Sequence, residues 1–296
     1  MKEFLMINYN LKINKIYKNI FFIENEKVKI EKLKDISKIN ILVELTNNMY
    51  KNKIPVDTFI LNVNNEYFTK KNNEYIILIK INDNDEFIDL NEIIKYSKTI
   101  NNLESYSVIE KYKKEIDQFE DNINNYELNI EEIRKTANYY IGMAENAISL
   151  LSDYKYNTNE LGCNVNIYKF NKKEINNPLN YIKINKYYNI TNYLKTKFLK
   201  NIFDYEEIEK VLKEIKTEEE EAIFFSYMMF PNYYFDIFND EIDEKKIEFL
   251  IKNHTKYIEI LKYIKKMQKN VKKLNYLFGL IKKVCYNVFM VFIWAK

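Results

Sequence analysis

Short alternating runs of apolar and polar residues fill the first quarter of the chain, and longer helical spacing replaces them afterwards. NIFFIENEKVKI, residues 19–30, reads as two strands about a polar Glu24-Asn25-Glu26 turn. Asp35 is placed to cap the next segment, where Ile39, Leu42, Val43, Leu45 and Met49 recur at helical spacing. From Pro55 to Ile81 the chain reads VDTFILNV, EYFTK and EYIILIKI, separated by the asparagine pairs at 64–65 and 72–73. Asparagine tolerates the left-handed backbone that tight hairpins need, so the spacing predicts an antiparallel meander. A small sheet with one helix packed on it is the expectation for this region.

Beyond about residue 90 the pattern is helical. Between Ile130 and Asp153 the positions Ile133, Ala137, Tyr140, Ile141, Ala144, Ile148 and Leu151 form one apolar stripe. Further helices are predicted over 189–203, 205–215, 218–230, 244–266 and from Val271 to the end. Glu218 to Glu221 open one of them, where negative charge offsets the helix dipole. Gly162 to Phe170 interrupts the series as a strand, followed by a loop around Pro178. The fold class expected is α+β in two lobes: a sheet-rich lobe over residues 1–85 and a larger helical lobe over 86–296.

Composition narrows the chemistry. The 296 residues include three glycines, one arginine (Arg134), one histidine (His254) and two cysteines (Cys163 and Cys285), so the usual phosphate cradles, titrating bases and thiolate sites have few residues to draw on. Abundant Ile, Asn, Lys and Tyr fit an AT-rich genome, which lowers the information in any single Asn or Lys. A formal net charge of +3 gives no field that would recruit nucleic acid. Two separated cysteines build neither a disulfide scaffold nor a metal site, and Met1 to Leu5 do not begin a signal peptide; the cytoplasm is the expected compartment.

Several phrases go further. KIPVDTFILNVNNEYFTK (53–70) with EYIILIKI (74–81), YIGMAENAI (140–148), NPLNYI (177–182), ITNYLK (190–195) and FPNYYFDI (230–237) follow one another in an order that resembles the spore-coat-associated kinase-like proteins of Firmicutes. That group is a branch of the aminoglycoside and choline phosphotransferase superfamily. The resemblance implies a kinase-like fold of two lobes.

It also implies where catalysis would sit, and there the chain departs from the pattern. Active members carry a His-x-Asp loop whose aspartate accepts the hydroxyl proton, and a later aspartate that holds Mg²⁺. The matching stretch here is LGCNVNIY (161–168), so Cys163, Asn164 and Asn166 occupy a degenerate loop, and an amide has no useful basicity. In KINKYYN (183–189), Ile184 or Asn185 falls at the metal aspartate and Asn189 at a second acidic position. No glycine precedes Gly142, so a Gly-rich loop is absent from the first lobe. Lys29 and Lys32 fall where a phosphate-pairing lysine could lie and Glu44 where its partner could lie, although solvated surface charge is the favoured reading of all three.

The remaining singular residues read as structural. His254, among Asn253, Thr255 and Lys256, is expected on the surface; Cys163 is expected to be a buried, inert thiol. Glu145 and Asn146 share a helix with Arg134 and are expected to make polar contacts; Tyr233, Tyr234, Phe235 and Phe238 are expected in the core. The final stretch, residues 271–296, is a basic amphipathic helix expected to dock on the second lobe with Trp294 as anchor, a membrane surface being the second choice. The reading that results is a pseudokinase: a binding or assembly factor with a protein partner, no cofactor and no nucleic acid, in the spore-coat setting that the resemblance implies. An active small-molecule phosphotransferase, using an acid such as Asp153 or Glu160, is the first alternative, and a peripheral membrane protein the second.

Overall fold

The computed structural model describes residues 1–82, 88–98, 102–125, 131–154, 159–238 and 244–268. The expected C-terminal helix over 271–296, with Cys285 and Trp294, lies outside the described residues. The chain divides into two compact units: Met1–Ser105 with Asn159–Val165 and Lys169–Lys183, and Tyr106–Thr158 with Asn166–Tyr168 and Ile184–Lys296.

The first unit is built on a small antiparallel sheet. Strands β1 (Ile20–Ile23), β2 (Glu26–Leu33), β5 (Glu74–Lys80) and β3 (Thr58–Phe59) lie in the order β1-β2-β5-β3, and β4 (Thr69–Lys71) also pairs with β5. The register sets Phe21 opposite Val28 and Ile30 opposite Leu78. Both faces of β5 are covered, which explains its unbroken apolar run. Ile76 and Leu78 pack with Val28, Ile30 and Phe21 against Leu5 and Tyr9, while Ile77 and Ile79 pack with Ile39 and, partly buried, Leu179. Asn65 and Asn72 hold the left-handed turns with φ of 62° and 56°.

Four local expectations are corrected here. A helix not foreseen, α1 (Lys2–Tyr9), supplies Leu5 and Tyr9 one turn apart to the first face of the sheet. Of VDTFILNV only two residues pair as a strand, because the Asn62 side chain organises a loop of its own: it accepts from the backbone of Asn64 and Glu66 and donates to the Phe68 carbonyl. Asp35 does not cap α2 (Ile39–Lys51); its carboxylate accepts from the backbone and hydroxyl of Ser37. The strand expected over Gly162–Phe170 is only β6 (Glu160–Cys163), paired with β7 (Tyr181–Ile184), because Asn166 turns the chain into a 3₁₀ turn at Ile167–Lys169. Helix α3 (Leu90–Ser97), fixed by a capping box of Asp89 and Glu92, completes this unit with α6 (Lys172–Asn176).

The second unit is helical: α4 (Val108–Asn125), α5 (Glu131–Ser152), α7 (Tyr187–Leu199), α8 (Tyr205–Glu214), α9 (Glu218–Met229), α10 (Asn232–Phe235) and α11 (Glu244–Met267). Thr217 caps α9, whose first turn carries four glutamates, and every residue from Glu221 to Met229 is buried. A helix apolar on all sides belongs at the centre of a bundle. Around it the aromatic content forms a packed interior. Tyr112 stacks on Phe230 at 3.4 Å, Tyr140 stacks on Tyr234 at 3.8 Å, and Phe119 meets Tyr234, Phe235 and Phe238 within 5.4 Å. Tyr233, Tyr234, Phe235 and Phe238 are core residues, as their pattern indicated. Among the described residues no helix is long and apolar enough to cross a membrane.

Candidate functional site

The loop that the resemblance marks as catalytic follows β6. Within the first unit, the Asn164 amide nitrogen donates to the Asn180 carbonyl at 2.9 Å, and the Asn164 side chain is exposed. Asn166, in the second unit, accepts the Tyr168 N–H on its Oδ1 at 2.9 Å. Asn185 does the same two residues ahead, taking the Tyr187 N–H at 3.0 Å at the entrance to α7. Both amides are thus Asx turns that shape backbone. Ile184 is fully buried, and Asn189 is buried inside the first turns of α7, which starts at Tyr187, two residues earlier than its periodicity suggested.

Three groups anchor the loop from within the second unit. Asp236 accepts the Ile167 N–H on Oδ2 at 3.1 Å, the Thr196 hydroxyl approaches the Ile167 carbonyl at 3.2 Å, and the Tyr168 hydroxyl donates to the Tyr233 carbonyl at 2.6 Å. The carboxylate that meets the loop is therefore Asp236. Asp153 is exposed at the end of α5 and Glu160 opens β6.

Next to Thr196, α7 carries Lys195, 1% exposed. Its ammonium donates to the Phe230 carbonyl at 2.7 Å and to Asn232 Oδ1 at 2.9 Å, and Asn232 Nδ2 donates to Asn192 Oδ1 at 3.2 Å. Burial pulls Lys195 down to about 7, against the opposing pull of the carboxylates of Glu115 and Asp236. Nearby on α4, Lys111 pairs with Glu115 at 3.0 Å and reaches the Tyr188 hydroxyl at 2.9 Å.

In the first unit, Lys29, Lys32 and Glu44 are not gathered into a site. Lys29 pairs with Glu31 on its own strand at 2.5 Å, Lys32 pairs with Glu74 across the sheet at 3.3 Å, and Glu44 is exposed on α2. Cys163 is the expected buried thiol: its Sγ lies 3.0 Å from the Tyr96 hydroxyl, and burial pushes it up to about 12. A thiol so protonated is no nucleophile.

His254 corrects the sequence reading. The ring is not on the surface but edge-on to Tyr139 and Tyr140, with centroids at 4.8 and 5.8 Å and Nδ1 3.3 Å from the Tyr140 hydroxyl. Nε2 is buried without a hydrogen-bond partner, and burial pulls the imidazole down to about 4. The lysines beside it in sequence point outward on the other faces of α11, so composition misled where helical phase decided. Asn146 donates to the Gly142 carbonyl of its own helix, and Glu145 is exposed; the side chain of Arg134 lies outside the described residues.

A cavity of about 250 Å³ opens beside the loop in the second unit. Ile167, Leu199 and Phe249 supply apolar wall, Tyr168 and Thr196 flank it, and Lys200, Lys245 and Lys246 line it as well. Lys246 holds its ammonium 4.6 Å from the centre of the Tyr168 ring.

No protein-family model matches the chain, and no curated protein matches it in sequence. Solved structures do. An aminoglycoside phosphotransferase from Alicyclobacillus acidocaldarius superposes with a TM-score of 0.62 at 9% identity, over 88% of this chain and 93% of that one. A spectinomycin phosphotransferase in complex with ADP and spectinomycin gives 0.55 at 12% identity, over 97% and 96%, and its AMP-bound complex gives 0.56 at 11%, over 96% of each. The fold is that of the aminoglycoside phosphotransferases. At such identities the likeness speaks for the fold alone.

On this phosphotransferase fold, the sequence reading passed over Asp236, which holds the loop, and Lys195, which holds the Phe230 carbonyl and Asn232. Lys195 closes the phrase ITNYLK and Asp236 sits inside FPNYYFDI, so both were in view as parts of a pattern. Nothing in their spacing said that one would be buried without a carboxylate on its ammonium and the other would accept a loop amide. Among the described residues no group of three His, Cys, Asp or Glu side chains comes together.

Proposed function

We propose that this protein keeps the phosphotransferase fold but not phosphoryl transfer, and works as a binding or assembly factor for a protein partner. The observation that carries the reading is the use made of the amides at the degenerate positions. Asn166 and Asn185 commit their Oδ1 atoms to backbone N–H groups two residues ahead. An amide accepts no proton near neutral pH, and an oxygen already engaged in a turn is a poor ligand for a hard cation.

The residues present do not fit a magnesium nucleotide. Ile184 offers no oxygen donor on its side chain, Asn189 is 1% exposed, and neither Asn185 nor Asn166 brings negative charge to offset a divalent ion. The turn between β1 and β2 places Glu24 in the left-handed region at φ 53° with no glycine to open its backbone, and its carboxylate would repel phosphate. Lys29 is already paired with Glu31. The spore coat is the setting that the resemblance suggests for such a factor, with the cytoplasm as the site of synthesis.

The test is a thermal melt of the full chain with millimolar ATP and Mg²⁺, paired with an assay for ADP release. A ligand that binds only the native state stabilises it by about 2.7 kcal/mol at a hundredfold excess over its dissociation constant. No magnesium-dependent shift and no ADP are expected. A magnesium-dependent rise in melting temperature accompanied by ADP release overturns the reading.

A further inference from the structure

The three anchors of the loop at Ile167 and Tyr168 are mounted on two segments. Thr196, whose hydroxyl lies 3.2 Å from the Ile167 carbonyl, belongs to α7. The Tyr233 carbonyl and the Asp236 carboxylate, which take the Tyr168 hydroxyl and the Ile167 N–H, belong to the stretch from Phe230 to Asp236. Lys195 joins the two segments. From α7 its nitrogen reaches the Phe230 carbonyl, where α9 ends, and Asn232 Oδ1, where α10 begins. Both acceptors are neutral. An ammonium brings three N–H donors to these two acceptors and keeps one buried and unmatched, whereas a neutral amine brings two donors and a lone pair. A donor for that lone pair stands one turn earlier on α7: Asn192 bonds the same Asn232 through Oδ1 at 3.2 Å, and its Nδ2 is buried without a hydrogen-bond partner. The polar groups of the cluster thus match the neutral amine better than the ammonium.

The surrounding charges do not reverse that match. On α4, Glu115 and Lys111 act on Lys195 in opposite senses and are paired with each other at 3.0 Å. Asp236 favours the ammonium but already holds the Ile167 N–H. The glutamates of α9 lie in its first turn, far from Phe230; the titratable groups of its last turns and of α10 are tyrosines. On α7 itself the Tyr188 hydroxyl is bonded to Lys111, and on α11 His254 stands against Tyr139 and Tyr140. Burial outweighs the carboxylates and pulls Lys195 down to about 7.

We propose that Lys195 is a proton-operated latch of the loop: the closed cluster holds the neutral amine, and proton uptake loosens α7 from the Phe230–Asp236 stretch and releases Ile167 and Tyr168. Opening brings the amine to water, where its pKa returns to the ordinary value of about 10.4. The open state therefore holds the proton more tightly than the closed one. Closure is fully favoured above that value, loses ground as pH falls towards 7, and changes no further once both states are protonated. The hold on the loop is thus graded over the range just above neutrality.

The experiment is amide hydrogen exchange of the full chain at about pH 7 and pH 8, in buffer free of nucleotide and magnesium, with rates corrected for intrinsic exchange. Protection of the Ile167 N–H is expected to be about fivefold greater at the higher pH, within the limit of tenfold per unit that one linked proton allows. Lys195→Met fills a similar space without a titrating group, and in it the protection no longer depends on pH. A lysine with a merely structural role lowers protection equally at both values. The parent also reports without any variant: with carbon-13-labelled lysine, one Cε resonance titrates near 7 while solvated lysines titrate near 10, which decides the matter if Lys195→Met fails to fold. Protection that is the same at both pH values in the parent, a pH dependence that persists in Lys195→Met, or lysine resonances that all titrate near 10 overturn the proposal.

Discussion

Acidification from pH 6.5 to 5 isolates one group among the described residues, since Lys195, at about 7 in the folded chain, has taken up most of its proton by pH 6.5. His254 is the sole histidine, and its ring stands edge-on to Tyr139 and to Tyr140 with Nε2 buried and unpartnered. Desolvation holds its pKa at about 4, below the ordinary value near 6.5. A folded-state value below the unfolded one means that the unfolded chain binds the proton first. Stability contributed by the neutral ring is full above pH 6.5, falls as pH drops from there towards 4, and falls no further once both states are protonated. Each unit of difference is worth about 1.4 kcal/mol, so the loss at pH 5 is on the order of 2 kcal/mol. The carboxylates with lowered values, Glu220 paired with Lys186 and Asp35 bonded to Ser37, lose their contributions at more acidic pH, which leaves the window from 6.5 to 5 to the histidine. Urea denaturation at both pH values measures the difference, and His254→Phe, which keeps an aromatic ring in the pocket, flattens it. A single imidazole resonance reports the same titration directly. If that resonance titrates near 6.5 in the folded protein, or the variant keeps the full slope, the account of a desolvated ring is wrong.

Two further outcomes follow from buried groups. In a Cys285→Ser background, Cys163 reacts with a thiol reagent at pH 8 only as fast as the protein unfolds, because its thiol is raised to about 12 and fully buried; rapid labelling of the folded chain contradicts this. Asp236→Ala removes the acceptor of the Ile167 N–H and costs about 1–3 kcal/mol in chemical denaturation, whereas Asp236→Asn, which keeps an oxygen in place, recovers most of it; equal losses in the two variants contradict the hydrogen-bond account.

The fold was legible where periodicity and burial share one cause. The stripe from Ala137 to Leu151 and the alternation into EYIILIKI report apolar faces directly, and those elements form where they were expected. The α+β division of a small antiparallel sheet and a larger helical part follows from the change in period. Legibility failed where one side chain overrules the pattern. Asn62 ends a strand that hydrophobicity would prolong, and Asn166 converts another into a turn. Of the candidate site, the sequence marked the amides at 164, 166 and 185 but not the turns that Asn166 and Asn185 make. Its positive features depend on residues far apart in sequence, such as Lys200 with Lys246 and Asp236 with Ile167, whose meeting no local spacing encodes.

The first unit does not end where its sheet ends. It takes back Asn159–Val165 and Lys169–Lys183 after the chain has left for α4 and α5. Cys163 on β6 and Tyr181 on β7 are both within the buried set around Tyr96, so the interior behind α3 stays open until those strands exist. For a chain emerging from the ribosome at about 5–20 residues per second, the meander can pair early, yet its unit cannot close before Lys183 has been made. During that interval α4 and α5 are already available to pair with each other. Synthesis order and architectural order therefore run out of step, and in a half-made chain Leu90, Ile93 and Tyr96 of α3 wait for the strands that complete their surroundings.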